Sequence, residues 1–165
     1  MLKFYYVDKE YVDYLKQFEP LVPNIDYSTH KKFVCGIVLK INGLDYFAPI
    51  SSFKKSQATN IVIKDTKNNN KPLSSIRLCF MFPVPKQCLE EVDFNKFDLQ
   101  YKRLVIKEYN FCKSNEERIK AKAKKIYQLA TKHRNYSISQ VCCDFVLLEQ
   151  KCKQYTNKSY AEYII

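Results

Sequence analysis

Lys32-Phe33-Val34-Cys35-Gly36-Ile37-Val38-Leu39-Lys40-Ile41-Asn42-Gly43-Leu44-Asp45-Tyr46-Phe47-Ala48-Pro49-Ile50 decides how this chain folds. Phe33 to Ile41 is almost continuously apolar and rich in β-formers, which predicts a central, buried strand. Asn42-Gly43 follows, and both positions tolerate positive φ, so the pair predicts a tight hairpin turn. Leu44 to Ile50 then returns as the antiparallel partner.

The residues just past this hairpin are the first candidates for chemistry. Ser51-Ser52-Phe53-Lys54-Lys55 supplies two hydroxyls and two ammonium groups directly after a strand. That combination suits a phosphate-handling site, and its composition equally suits a solvated loop. Antiparallel pairing brings Lys32, at the start of one strand, beside Ser51 and Ser52 at the end of the other.

Outward from the hairpin, Leu2 to Val7 reads as a first strand. Asp8 caps a short helix with Tyr11, Tyr14, Leu15 and Phe18 on one face. Pro20 and Pro23 end regular structure there. Residues 51–60 form a polar loop or short helix, and Asn60 to Lys64 a third strand. Asp65 to Lys71, with three asparagines, is a turn. Ile76 to Phe82 alternates as a strand that Pro83 and Pro85 terminate.

From Leu99 the pattern becomes helical. Ser114-Asn115-Glu116-Glu117 reads as a capping box starting a second helix with Ile119, Ala123, Ile126 and Ala130 on one side. Ser139 caps a last helix with Val141, Phe145, Leu148, Cys152 and Tyr155 on one stripe. Strands first and helices last, with no linker or repeat, predict one α+β domain over residues 1–165: a twisted antiparallel sheet with helices packed around it.

The chain has 165 residues and 46% hydrophobic side chains, enough for a real core. Its formal charge is +11, which favours an anionic partner. Thirteen tyrosines among many lysines suit RNA, because rings stack on bases while ammonium groups hold phosphates. Tyr101 to Arg134 carries eleven basic against three acidic side chains. Such a helical run is either a solvated face or a phosphate-binding one.

Several classes are excluded. The seven cysteines form no C-x-x-C and only two histidines exist, so no zinc site is expected. The thiols read as reduced, buried groups of a cytoplasmic protein. No signal peptide or membrane-spanning run is present. No phosphate-cradling glycine motif occurs, and no acidic cluster suggests a Mg²⁺ nuclease. No cofactor is implied. RNA cleavage by such a chain would use the ribose 2′-OH as nucleophile, with lysines for phosphorane charge and hydroxyls for hydrogen bonds. A non-catalytic basic RNA-binding module and a DNA-binding regulator are the rival readings, although no helix-turn-helix spacing stands out.

The sequence resembles the ToxN/AbiQ family, the endoribonuclease toxins of type III toxin–antitoxin and phage abortive-infection systems. The resemblance runs through Lys3-Phe4-Tyr5, Tyr11, Tyr14 to Phe18, Val22-Pro23-Asn24, Lys32 with Gly36 to Leu39, Tyr46 to Lys55, Tyr101-Lys102-Arg103 and Cys143 to Glu149. The Ala48-Pro49-Ile50-Ser51-Ser52-Phe53-Lys54-Lys55 run is its most specific part.

The resemblance implies a strongly twisted, partly barrel-like antiparallel sheet, as in MazF/Kid toxins. It implies metal-independent cleavage of mRNA to 2′,3′-cyclic phosphate and 5′-OH ends. It also implies a small repeat-derived pseudoknot RNA antitoxin that the toxin cuts from its precursor and that then inhibits it, in a closed cyclic protein–RNA assembly. Carried over by position, it implies catalytic roles for Ser51, Ser52, Lys54, Lys32 and Tyr11, with Tyr27 or His30 filling a second aromatic position. Phe53 stands where some relatives have proline. The candidate RNA contacts are Lys31, Lys55, Lys102, Arg103, Lys120, Lys122, Lys124 and Lys125.

Overall fold

A computed structural model describes residues 1–25, 31–132 and 136–162. Its centre is the hairpin read from the sequence. Asn42 and Gly43 take positive φ, 53° and 74°, as a tight turn between twisted strands requires. Strands β2 (Val34–Ile41) and β3 (Leu44–Ser51) pair antiparallel from Ile41↔Leu44 to Val34↔Pro49, with an irregularity between Gly36 and Leu39. Gly36 is opposite Phe47, and a Cβ there would lie 2.1 Å from Phe47 Cδ1. The ring therefore occupies the space that any larger residue needs.

The remaining strands extend this pair on both sides. β1 (Lys3–Val7) joins β2, and β7 (Leu89–Glu91) joins β1. On the other side β5 (Lys71–Arg77) pairs with β3 at Ile50↔Ile76 and Ser51↔Ser75, and β4 (Asn60–Asp65) lies outside it. β6 (Phe82–Pro83) adds a short pairing at Tyr46 and Phe47. The order is β4-β5-β3-β2-β1-β7, and every pairing is antiparallel. The α+β architecture is as expected. The sheet is open, however, ending at β4 and β7 rather than closing into a barrel.

Five helices accompany it among the described residues: α1 (Lys9–Lys16), α2 (Leu99–Ser114), α3 (Glu116–Thr131), α4 (Tyr136–Val141) and α5 (Phe145–Glu162). Asp8 caps α1 by accepting from the Glu10 N–H at 3.1 Å. Asp98 does the same for α2 through Tyr101 N–H at 3.0 Å. Most of the apolar stripes are core: Ile119, Ala123 and Ile126 on α3, and Phe145, Leu148 and Cys152 on α5, are buried, whereas Ala130 and Tyr155 are partly buried and Val141, which ends α4, is exposed. All seven cysteines are buried free thiols.

Local expectations fail at three places, each for a packing reason. Ser114 does not cap α3. It is the last residue of α2, and Asn115 alone joins the two helices, its Nδ2 donating to Phe111 O at 2.9 Å. Ser139 lies inside α4, while Asp144 caps α5 by accepting from Leu147 N–H at 3.0 Å. The strand expected over residues 76–82 begins earlier, at Lys71, because the asparagine turn brings the chain back into pairing with β4 at once. Leu78–Phe80 is instead a 3₁₀ turn, with Leu78 and Cys79 buried.

The hairpin tip is tied to the helices by one buried carboxylate. Glu149 on α5 accepts from Tyr46 Oη at 2.8 Å, Tyr127 Oη at 2.7 Å and Asn42 Nδ2 at 3.0 Å. Burial and that carboxylate together push the Tyr127 phenol up to about 12 and Tyr46 higher still. Both tyrosines are therefore neutral hydrogen-bond donors at ordinary pH. The turn, β3, α3 and α5 thus meet at one point, which holds the hairpin's other end, where Ser51 lies, in fixed relation to the rest.

Gly36→Ala tests the close approach at the centre of the sheet. Overpacking against Phe47 is expected to lower stability by about 2 kcal/mol or more, read from a urea unfolding curve.

Candidate functional site

The chain leaves β3 at Ser51 and re-enters the sheet at Asn60. Between them lies a loop whose side chains alternate in exposure: Ser52 and Lys54 face solvent, while Phe53 is partly covered. Phe53 turns inward because its ring centroid lies 4.6 Å from the Arg77 guanidinium. With Phe53 held, its two neighbours are directed outward. Ser51 Oγ accepts from the Phe53 N–H at 3.2 Å, a local turn that fixes the start of the loop.

The far end of the loop is fixed by Asn60, which is 1% exposed. Its Nδ2 donates to Lys55 O at 2.9 Å, and its Oδ1 accepts from Gln57 N–H at 2.8 Å. One amide thereby stands in for the loop's missing backbone partners. Leu78 N–H donates to Thr59 O at 3.1 Å, which anchors the same segment on the turn after β5. The result is a short polar loop with a rigid underside and an open upper face. Neither Ser52 nor Lys54 has a hydrogen-bond or ion-pair partner among the described residues.

The basic helix reaches this loop. Lys122 Nζ donates to the Asn60 carbonyl oxygen at 2.6 Å. Desolvation, then the neighbouring cations Arg118 and Lys125, lower the Lys122 pKa. Of the α3 lysines, Lys122 is thus joined to the base of the Ser-Lys loop, whereas Lys120 and Lys124 line a separate cleft with Met1 and residues 37–40.

The other expected residues are placed unevenly. Continuing the Val34↔Pro49 register puts Lys32 level with Ser51 at the same end of the hairpin. Lys32 has already left the ladder there, since its N–H donates to Ile25 O at 3.0 Å. It lines a cleft of about 340 Å³ with Lys31, Tyr6, Asp8 and Glu90, beside the loop's end of the sheet. Lys31 Nζ sits 5.9 Å from the Tyr6 ring centroid.

Tyr11 is not at this edge. It is fully buried, donates its hydroxyl to Pro83 O at 2.7 Å, and packs edge-on against Tyr155. Burial raises its pKa strongly, which keeps the phenol protonated. The position to which the family resemblance gives a catalytic role is thus a core ring whose hydroxyl is already engaged. Its helix-face spacing in the sequence is equally that of a core ring. Tyr27 and His30 lie outside the described residues.

Lys55, Lys124, Lys125 and Arg103 are exposed. Lys120 bonds Glu116 at 2.6 Å, and that pairing, with smaller contributions, holds the Glu116 carboxyl down at about 2. Lys102 donates to Asn95 Oδ1 at 2.8 Å. Asn60, Gln57 and Arg77 were not singled out in the sequence. Arg77 had one usable signal: it is a lone cation inside the apolar run from Ile76 to Phe82. Among the described residues no three His, Cys, Asp or Glu side chains gather as a metal site.

The fold and the loop together define a basic α+β protein with an exposed hydroxyl–lysine loop at one end of its central hairpin. The chain belongs to the ToxN toxin family of type III toxin–antitoxin systems, whose sequence model matches residues 3–153. It is 33% identical over 169 residues to the endoribonuclease ToxN of Bacillus thuringiensis subsp. kurstaki, spanning 97% of this chain and 87% of that protein. It is 31% identical to the endoribonuclease AbiQ of Lactococcus lactis subsp. lactis, over 96% and 91% of the two chains.

Solved structures agree. One, from work on selective toxin inhibition by a non-coding RNA pseudoknot, superposes with a TM-score of 0.86 at 32% identity, over 94% of this chain and 98% of that one. The AbiQ structure, described as a lactococcal anti-phage endoribonuclease, gives 0.86 at 29% identity, over 95% and 99%.

Asn60→Ala removes both side-chain ties of the loop while leaving its catalytic candidates untouched. The part-buried Gln57 N–H and Lys55 C=O it orphans predict a loss of about 1 kcal/mol in urea denaturation. Amide hydrogen exchange at Gln57 is expected to accelerate, and unchanged exchange there would show that the loop is held by something else.

Proposed function

We propose that this chain is an endoribonuclease toxin of a type III toxin–antitoxin system, with its active site on the loop from Ser51 to Lys55. The observation that carries this reading is the pairing of a loop tied down by Asn60 with a partner-free Ser52 and Lys54 on its exposed face. The membership of the family and the two relatives named endoribonucleases support the same activity.

The reaction is transesterification within RNA. The ribose 2′-oxygen bonds to the adjacent phosphorus as its proton leaves, and the bond to the 5′-oxygen breaks as that oxygen takes up a proton. The products are a 2′,3′-cyclic phosphate and a 5′-hydroxyl. Lys54 and Lys32 neutralise charge building on the non-bridging oxygens. Ser52 and Ser51 donate hydrogen bonds that orient the phosphate and the 2′-OH. No metal is required for these roles, because the ammonium groups supply the positive charge. DNA lacks the nucleophile and is not a substrate. Tyr11 supports the fold from beneath, and the second aromatic position falls to Tyr27 or His30.

The substrates are mRNA and the chain's own repeat RNA precursor, in the cytoplasm. The cut repeat, a small pseudoknot, is the antitoxin, and it inhibits the toxin in a closed cyclic assembly. The solved structure tied to a pseudoknot inhibitor supports that partner class. Lys55, Lys124, Lys125 and Arg103 are the exposed cations available to the phosphate backbone, with Lys31, Lys102, Lys120 and Lys122 contributing charge while holding local contacts.

Purified protein is expected to cut single-stranded RNA in EDTA and to leave DNA of the same sequence intact. Ser52→Ala and Lys54→Ala are each expected to slow cleavage by about 100-fold or more with an unchanged melting temperature, since both side chains are exposed. Full activity in Lys54→Ala would remove that lysine from the mechanism. RNA that is bound but stays whole would favour a non-catalytic RNA-binding module.

A further inference from the structure

Arg77 is the last residue of β5 and stands opposite Asn60 in β4. Its guanidinium lies between two rings, 4.6 Å from the Phe53 centroid and 5.1 Å from the Phe80 centroid. One terminal nitrogen, Nη2, donates to Gln57 Oε1 at 3.4 Å, the long limit for a hydrogen bond. Nε is enclosed and has no partner. No carboxylate reaches Arg77 among the described residues.

That arrangement is incomplete in a specific way. A partly buried guanidinium normally finds a carboxylate or a phosphate, which its planar fork binds through two parallel hydrogen bonds. The rings compensate part of the desolvation, since each attracts the cation with its π face. They supply no anion. Among the described residues, the only side-chain acceptor reaching it is a neutral amide at long range. The same guanidinium holds Phe53, whose two sequence neighbours are Ser52 and Lys54. An anion seated on Arg77 is therefore within the site itself. Lys54, Lys55 and Lys122 add positive potential around it, and a phosphodiester is the anion this surface gathers.

We propose that Arg77 is an RNA-binding residue of this site: its terminal nitrogens hold a backbone phosphate next to the one engaged by Ser52 and Lys54. Phe53 and Phe80 keep the guanidinium plane fixed for that contact. The proposal rests on the RNA-binding part of the reading above and not on cleavage. The phosphate belongs to single-stranded substrate RNA or to the folded RNA inhibitor, which share this chemistry.

The test uses 2′-O-methylated RNA, which cannot be cut, as a short single strand and as a folded hairpin. Binding is measured against salt concentration for the wild-type protein, Arg77→Gln, Arg77→Lys and, as a control at the exposed far end of β5, Lys71→Gln. Each phosphate contact contributes about 0.7 to the slope of log K against log salt for a single strand. Arg77→Gln is expected to weaken binding about tenfold and to lower that slope by about 0.7. Arg77→Lys keeps the charge and is expected to retain the slope with a smaller loss of affinity. Lys71→Gln should match wild type.

A loss with the single strand alone assigns the contact to substrate, and with the hairpin alone to the folded RNA. Should Arg77→Gln fail to fold, Arg77→Met fills the slot between the rings and reads the same quantities. An unchanged slope with both RNAs overturns the proposal and leaves Arg77 only as a support for Phe53. A wild-type protein that binds RNA without cutting it, with the slope still dependent on Arg77, sinks the nuclease reading and upholds this one.

Discussion

The buried side chain of Asn60 is the constraint on which the site depends. A loop between two strands has backbone groups that no ladder satisfies, and they become costly once covered. Asn60 answers two of them with one amide, binding Lys55 O and Gln57 N–H, while its own carbonyl accepts from Lys122. The loop is thereby closed and joined to α3 in one place. Its upper face can then carry hydroxyls and ammonium groups without partners, because its conformation does not depend on them. Preorganisation of this kind is what electrostatic stabilisation of a transition state needs, since the groups do not have to reorient as charge develops.

The rest of the fold keeps that loop in position from a distance. Gly36 lets Phe47 close on the centre of the sheet. Glu149 binds the hairpin turn, β3, α3 and α5 together. β5 then carries Ser75 opposite Ser51 and Arg77 beneath Phe53. Cations from three elements lie near this loop. Lys54 and Lys55 come from the loop, Arg77 from β5, and Arg118, Lys122 and Lys125 from α3. The lowered Lys122 pKa reports that crowding after desolvation.

The central hairpin was legible because its signals are local. Apolar continuity gives the strand, and Asn42-Gly43 gives the turn. The hydroxyl–lysine loop was legible for the same reason, and the hairpin register alone placed Lys32 at its end of the sheet. What the sequence hid was tertiary. Asn60 reads as an ordinary strand residue until Lys55, Gln57 and Lys122 converge on it. Ser114 offers a good capping box, but α2 runs on through it because the chain turns into α3 at Asn115. Tyr11 shows a helical face spacing that serves a core and a site alike, and neither its burial nor its bond to the Pro83 carbonyl could be read from that spacing. The polar Ser74 and Ser75 disguised β5, since both are buried in the sheet, Ser74 donating to the carboxylate of Glu108 at 2.5 Å.

The chemistry done at the Ser52–Lys54 loop leaves its signature on the RNA. The most direct measurement is the identity of the ends left on RNA after incubation with the pure protein in the presence of a chelator. A 2′,3′-cyclic phosphate and a 5′-hydroxyl on every fragment are predicted, as attack by the ribose 2′-oxygen requires. Fragments with a 3′-hydroxyl and a 5′-phosphate would mean that water attacked from outside the ribose, and would contradict the mechanism.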